Sequence, residues 1–145
     1  MPPRGYDLGN AEVEVLRALW DRGPSTVRDV LTCLHERGRR VAYTTVQTLL
    51  TRLEQKGYVH SDKSDFAYVY RAKLTRNRLM RSRLKELVAL LCDGTAGPLA
   101  LQLIRSEQFT AEEIQALQDL IDRLDADEAR RGAKKDPGGK GRKRA

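Results

Sequence analysis

The chain has 145 residues, with 27 Lys and Arg against 20 Asp and Glu, a formal net charge of +7, and 40% hydrophobic but only 6% aromatic residues. That length fits one or two small domains around a mainly aliphatic core. No stretch approaches the ~20 apolar residues of a spanning helix, and Met1-Pro2-Pro3-Arg4-Gly5-Tyr6-Asp7 has no apolar run after its charge, so neither a membrane helix nor a secretory signal is expected.

Asn10 stands where a helix cap belongs, ahead of Val13, Leu16, Leu19 and Trp20 at a 3.6-residue period. Gly23-Pro24 ends this first helix, since Gly suits the C-terminal cap and Pro24 cannot continue the helix. A second helix opens at Ser25 or Thr26, with Asp29 at capping-box spacing from Thr26 and the stripe Val27, Val30, Leu31 and Leu34. Gly38-Arg39-Arg40 breaks it.

The third helix is predicted over residues 42–56 and ends at Gly57, with Val46, Leu49, Leu50 and Leu53 on one side. The opposite face carries Thr44, Gln47, Thr48, Thr51, Arg52 and Gln55. Short hydroxyls and amides, in place of Glu and Lys, lower helix propensity. This composition points to a contact face rather than a solvated one.

Beyond Gly57 the period changes to two. Val59, Ser61 and Lys63 alternate with Tyr58, His60 and Asp62, and Phe66, Tyr68 and Tyr70 alternate with Ala67, Val69 and Arg71. With Lys63-Ser64-Asp65 as the turn, these residues form a short hairpin. The fold class that follows is mostly α with a small β-hairpin. Residues 6–72 make a winged helix-turn-helix DNA-binding domain, in which helix three is the recognition helix and the hairpin the wing.

Residues 22–85 hold fifteen basic against five acidic groups, and a polyanion is the natural partner of such a block. A helix in the major groove can bond base edges through Gln and Thr. Base contacts are therefore expected from Tyr43, Thr44, Gln47 and Thr48. Phosphate contacts are expected from Thr51, Arg52 and Lys56 farther along, from Arg39 and Arg40 ahead of the helix, and from Arg28 and Lys63.

A fourth helix is predicted from Thr75 to about Cys92, with Leu79, Leu84, Leu87, Val88 and Leu91 as its apolar set and a basic first half. The stretch from Asp93 to Pro98 breaks the chain, Leu99 to Ile104 makes a short apolar helix, and Thr110 with Glu113 caps a last helix. Residues 86–128 hold ten acidic and two basic groups. Three short helices of this size bury too little surface to stand alone. Residues 75–126 are thus expected to form a helical dimerisation domain. It would pair through Leu87, Leu91, Leu99, Leu101, Leu103, Ile104, Ile114, Leu117, Leu120 and Ile121. Such a C₂ homodimer sets two recognition helices roughly 34 Å apart, for an inverted-repeat double-stranded operator. Residues 129–145, with eight basic groups and one acidic, contain no apolar residue larger than Ala and are expected to be a disordered basic tail.

Nothing converges on catalysis. His35 and His60 lack the H-E-x-x-H spacing, and Gly138-Gly139 has no strand before it, so no enzyme, cofactor or metal site is expected. Cys33 and Cys92 read as small hydrophobes. Two isolated cysteines fit a reduced cytoplasmic chain.

The stretch from Leu8 to Tyr70 resembles the penicillinase-repressor family of BlaI/MecI/CopY-type regulators. The resemblance rests on Glu12-Val13-Glu14-Val15-Leu16 with Trp20, and on Gly23-Pro24-Ser25-Thr26-Val27-Arg28-Asp29-Val30. It rests further on Ala42-Tyr43-Thr44-Thr45-Val46-Gln47-Thr48-Leu49-Leu50-Thr51-Arg52-Leu53, followed by Lys56-Gly57, and on Tyr68 and Tyr70. A weaker likeness continues through Thr110-Ala111-Glu112-Glu113-Ile114 and Leu117. The resemblance implies a dimeric repressor on a palindromic operator. In antibiotic-responsive members it also implies a membrane sensor with a zinc metalloprotease domain, which leads to cleavage in the dimerisation region. The asparagine–phenylalanine pair cut in the best-known members stands here as Gln102-Leu103. The C-x-C motifs of the copper-responsive branch are missing, and Ala72 occupies the place of a common proline two residues after the closing tyrosine. Two other readings are a regulator sensing a small molecule between wing and dimerisation domain, and a winged-helix protein–protein adaptor that binds no DNA.

Overall fold

The computed structural model describes residues 5–135. In chain order the elements are α1 (Asn10–Arg22), α2 (Val27–Glu36), α3 (Tyr43–Gln55), β1 (Val59–Asp62), β2 (Val69–Ala72), α4 (Arg76–Leu91), α5 (Gly97–Ser106) and α6 (Ala111–Lys135). α1 starts differently from expectation, with Gly9 rather than Asn10 at the cap. Glycine has no side chain to cap with, so Glu12 reaches back and accepts the Gly9 N–H at 2.9 Å. α2 has the predicted capping box, with Asp29 N donating to Thr26 Oγ1 at 3.1 Å and Thr26 N to Asp29 Oδ2 at 3.0 Å.

α2 and α3 end in the same way. Gly38 and Gly57 take left-handed φ values of 84° and 86°. The next residues then bond back into the helix, Arg39 N to Leu34 O at 2.9 Å and Tyr58 N to Leu53 O at 3.0 Å. A side chain at either glycine would strain the turn. These closures set where α3 begins and where the wing departs.

The core is aliphatic, drawn from Val15, Leu16 and Leu19 of α1, Val30, Cys33 and Leu34 of α2, Val46, Leu50 and Leu53 of α3, Val59, Tyr70 and Leu79. α1 buries Val15 and Ala18 while Val13 stays half-buried, because it packs against α2, α3 and β2 and so buries a wider arc than one stripe.

β1 and β2 pair antiparallel, Val59 with Ala72, Ser61 with Tyr70 and Asp62 with Val69. The strands are shorter than predicted and the connection runs from Lys63 to Tyr68. Asp62 Oδ1 accepts the Ser64 N–H at 3.0 Å and turns the chain out of the ladder. Ser25 adds a third, single-residue strand: Ser25 N donates to Tyr70 O at 2.9 Å and Tyr70 N to Ser25 O at 2.7 Å. Three helices closed by this small sheet make a winged helix.

α4 was expected in the dimerisation domain. Within the single chain it packs in the same compact unit as the winged helix, which extends through Ala96, while Leu87 and Leu91 stay exposed. Leu79 is buried in the core, Trp20 Nε1 donates to Leu74 O at 2.8 Å, and Arg83 Nη2 donates to Leu8 O at 3.0 Å. The second unit starts at Gly97. Its α6 has the predicted box, with Thr110 N to Glu113 Oε1 at 2.9 Å and Glu113 N to Thr110 Oγ1 at 3.1 Å. α6 runs on to Lys135, so residues 129–135 are helical rather than disordered. Arg130 with Asp127 and Arg131 with Glu128 supply one-turn ion pairs that favour the extension. The rest of the expected tail, residues 136–145, lies outside the described residues. Among the described residues no helix is long and apolar enough to cross a membrane.

Candidate nucleic-acid interface

α3 is seated by Val46, Leu50 and Leu53, each fully buried. Docking that side into the core turns Tyr43, Thr44, Gln47, Thr48, Thr51, Arg52 and Gln55 to solvent. The four residues expected at base edges thus share one exposed face of the N-terminal half of α3. Thr51 Oγ1 donates to Gln47 O at 2.9 Å, so its proton is engaged within the helix rather than free for a phosphate.

Arg28 of α2 places its guanidinium over the Tyr43 ring, 5.4 Å from the centroid, and stays exposed. The two stand at a cleft of about 580 Å³ between α3 and the wing, walled by Tyr43 and Gln47 on one side and Phe66 and Tyr68 on the other. Lys63 Nζ lies 5.5 Å from the Tyr68 ring centroid. The wing is held to α3 by Glu54, whose Oε2 accepts Ser61 Oγ at 2.7 Å and Ser61 N at 3.3 Å. The Ser61 hydroxyl bond, more than the burial that opposes it, holds the Glu54 carboxyl below its ordinary range. No sequence pattern marks Glu54 for this task, because its partner lies beyond a turn on another element.

The expected phosphate-binding residues divide. Arg28, Arg40 and Arg52 are exposed, and none forms an ion pair among the described residues. Arg39 is exposed but shared, with Nε 3.0 Å from Glu14. Lys56, expected at a phosphate, stays exposed but has its ammonium engaged by other residues of the unit. Its ammonium sits 3.0 and 3.1 Å from the two Glu12 oxygens and 2.8 Å from Asp7 O. Part of the basic block is neutralised in the same way: Arg22 pairs with Glu36, and Arg37 and Arg76 both pair with Asp21. Bonds from Arg76 and then Arg37 keep the Asp21 carboxyl below its ordinary range.

Burial pushes the Glu12 carboxyl up, but the Gly9 N–H and the Lys56 ammonium outweigh it and hold the group below its ordinary value. A depressed folded-state value means stability that is present at neutral pH and lost as pH falls below the usual glutamate range, about 4.3. Glu12→Gln is expected to cost about 1–2 kcal/mol at pH 7 and to narrow its gap to the parent at pH 3, as read by urea unfolding at the two pH values. An unchanged gap at pH 3 would refute the ion-pair account.

His35 and His60 are exposed. His35 Nε2 lies 2.9 Å from Val41 O across the α2–α3 turn, and His60 pairs in register with Arg71. Cys33 is buried as expected, whereas Cys92 is only half-buried.

The sequence pattern of the penicillinase repressor family matches residues 8–123. The transcriptional regulator BlaI of Mycobacterium tuberculosis is 35% identical over 120 residues, covering 82% of this chain and 86% of that protein. The methicillin resistance regulatory protein MecI of Mammaliicoccus sciuri is 21% identical over 123 residues, covering 85% and 99%. A penicillinase repressor of Staphylococcus aureus is 22% identical over 121 residues, covering 83% and 95%. Among solved structures, a MarR family protein from Bacillus stearothermophilus superposes with a TM-score of 0.45 at 20% identity, covering 86% of this chain and 77% of that one. With a family match spanning both units and more than a third of positions shared with a regulator over most of either chain, this winged-helix chain belongs to the penicillinase repressor family of transcriptional repressors.

Proposed function

We propose that the chain represses transcription as a homodimer, with α3 of each copy in the major groove of one half of an inverted-repeat operator. Tyr43, Thr44, Gln47 and Thr48 meet base edges; Arg28, Arg39, Arg40, Arg52 and Lys63 hold phosphates. The observation that carries this reading is the α3 face, which lowers helix propensity and buries nothing within the chain. Supporting the dimer, no described residue from Gly97 onward is buried, and Leu101, Leu103, Ile104, Ile114, Leu120 and Ile121 are each 44–52% exposed.

The test is selection of duplexes from a random pool by the full chain, followed by anisotropy titration at two salt concentrations. The expected result is an inverted repeat with half-site centres about one helical turn apart and a log–log salt slope near −0.9 per phosphate neutralised. Failure to enrich any motif, with no salt-dependent shift on any duplex, would support the adaptor reading instead. Removing residues 136–145, which hold four basic groups and one acidic, should flatten the slope by up to about 3 units per protomer while leaving the selected motif unchanged.

Relief of repression by cleavage at Gln102–Leu103 is supported by the exposure of both residues in α5, a ten-residue helix with nothing buried. A protease binds extended backbone, so α5 must open first, and an element with no buried side chain opens at low cost. Limited proteolysis of the full chain should nick α5 before any bond between Leu8 and Leu74; the reverse order overturns this site.

A further inference from the structure

We infer that Phe66, at the tip of the wing, is an apolar wedge that enters the DNA minor groove beside the half-site read by α3 and favours an easily unstacked base step there. The inference rests on the repressor reading and adds a specificity-determining residue to it.

Phe66 is one of two phenylalanines in the chain and is fully exposed, at 106% of the reference accessibility. It projects from the Lys63–Tyr68 connection, beyond the point where Asp62 turns the chain out of the ladder. No core contact accounts for it. The cleft between α3 and the wing locates it, because Tyr43 and Gln47 line one wall and Phe66 and Tyr68 the other. Phe66 therefore stands on the same side of the unit as the base-reading face, separated from it by a gap.

B-DNA supplies what fits that gap. Its major and minor grooves are divided by a single sugar-phosphate strand. With α3 in the major groove, that strand runs along the cleft past Arg28, and the wing tip arrives at the neighbouring minor groove. The tip carries Asp62 and Asp65 against Lys63, so beyond the single Lys63 contact it brings no net positive charge to the phosphates. What it offers the groove is the ring. An apolar side chain placed there partly unstacks a step and kinks the duplex, and pyrimidine–purine steps yield most readily.

The test uses the full chain and synthetic duplexes of the selected inverted repeat. Flanking positions are changed in turn to TA, CA, AA or GC steps, with 2-aminopurine beside the step and fluorophores at the duplex ends. The parent chain should raise 2-aminopurine emission at one symmetric pair of positions and bend the duplex by more than about 20°. It should also prefer TA over GC there by roughly tenfold. Phe66→Ala should lose all three effects and Phe66→Leu should keep them in reduced form. Both variants should keep the parent salt slope and melting temperature, since no charge and no core contact is removed. If Phe66→Ala retains the bend and the step preference while still reading the repeat, the wedge is wrong and the repressor reading stands. A changed salt slope would place the ring at phosphates, and a shift in dimerisation with DNA behaviour unaltered would place it between copies; either overturns the inference. If the parent enriches no repeat at all, the repressor reading falls, and the wedge with it.

Discussion

Replacing Gln47 and Thr48 together by alanine is expected to erase operator choice while leaving general affinity for DNA in place. Both side chains are exposed on α3 and make no bond that holds the fold. A good bidentate base contact is worth about 1–3 kcal/mol of discrimination. Two copies would lose a bidentate contact at each Gln47 and a weaker hydroxyl or methyl contact at each Thr48, so specific affinity should drop about 10²–10³-fold, toward the non-specific level. The salt slope should not move, because Arg28, Arg40, Arg52 and Lys63 remain. Unfolding free energy should stay within about 0.5 kcal/mol, as for other exposed substitutions. Competition anisotropy between the selected repeat and a scrambled duplex checks this directly. A variant that still prefers the repeat would show that α3 does not read the bases. The contrast is Arg40→Ala with Arg52→Ala, which should weaken both duplexes alike and reduce the slope by about 1 per phosphate lost.

Ile121→Asp is expected to convert the proposed homodimer to a monomer and to melt the second unit while the winged helix stays folded. Ile114, Leu117, Ile121 and Leu124 recur along one side of α6, yet all four are at least partly exposed in the single chain. Two helices that bury nothing cannot offset the entropy of ordering their backbones. Their stability must come from covering that stripe, and a second copy of the same stripe is self-complementary by symmetry. A carboxylate at position 121 would have to be desolvated in the paired state. Sedimentation velocity should shift from dimer to monomer, and far-UV ellipticity should fall by the contribution of α5 and α6. Operator affinity should fall about 10²–10⁴-fold as the second half-site ceases to be an intramolecular partner. The first unit should keep its own unfolding transition, since it has a buried core of its own built around Leu16, Leu50 and Leu53. A dimer that persists in Ile121→Asp would remove this face from the interface.

Much of the architecture was legible because its causes are local. The stripe Val46, Leu50 and Leu53, the Thr26–Asp29 and Thr110–Glu113 boxes, and the glycines at 38 and 57 all act within a few residues of themselves. Periodicity and capping therefore placed α1, α2, α3 and α4 near their true bounds, together with the exposed face of α3 and the start, though not the end, of α6. The early stop of β1 and β2 was less legible. Alternation continues past Asp62 in the sequence, but Phe66 has no core to face, so nothing holds the strands together beyond that point.

Where each charge goes was not legible at all. Lys56 reads as a phosphate ligand at the end of α3, and only the fold brings Glu12 and Asp7 to it from more than 40 residues away. Arg76 meets Asp21, and Arg83 meets the backbone at Leu8, contacts that seat α4 against the winged helix although its sequence was grouped with the dimerisation helices. The bridge of Ser25 to Tyr70 and the bond of Ser61 to Glu54 are likewise pairings across elements. By itself the sequence determined the helices, most of their caps, and the hydroxyl and amide face that α3 presents to solvent. Only the tertiary structure decided which cations remain free for phosphates and which unit α4 joins. A helix is specified by neighbours three and four residues apart, whereas an ion pair is specified by whatever the packed core brings within reach.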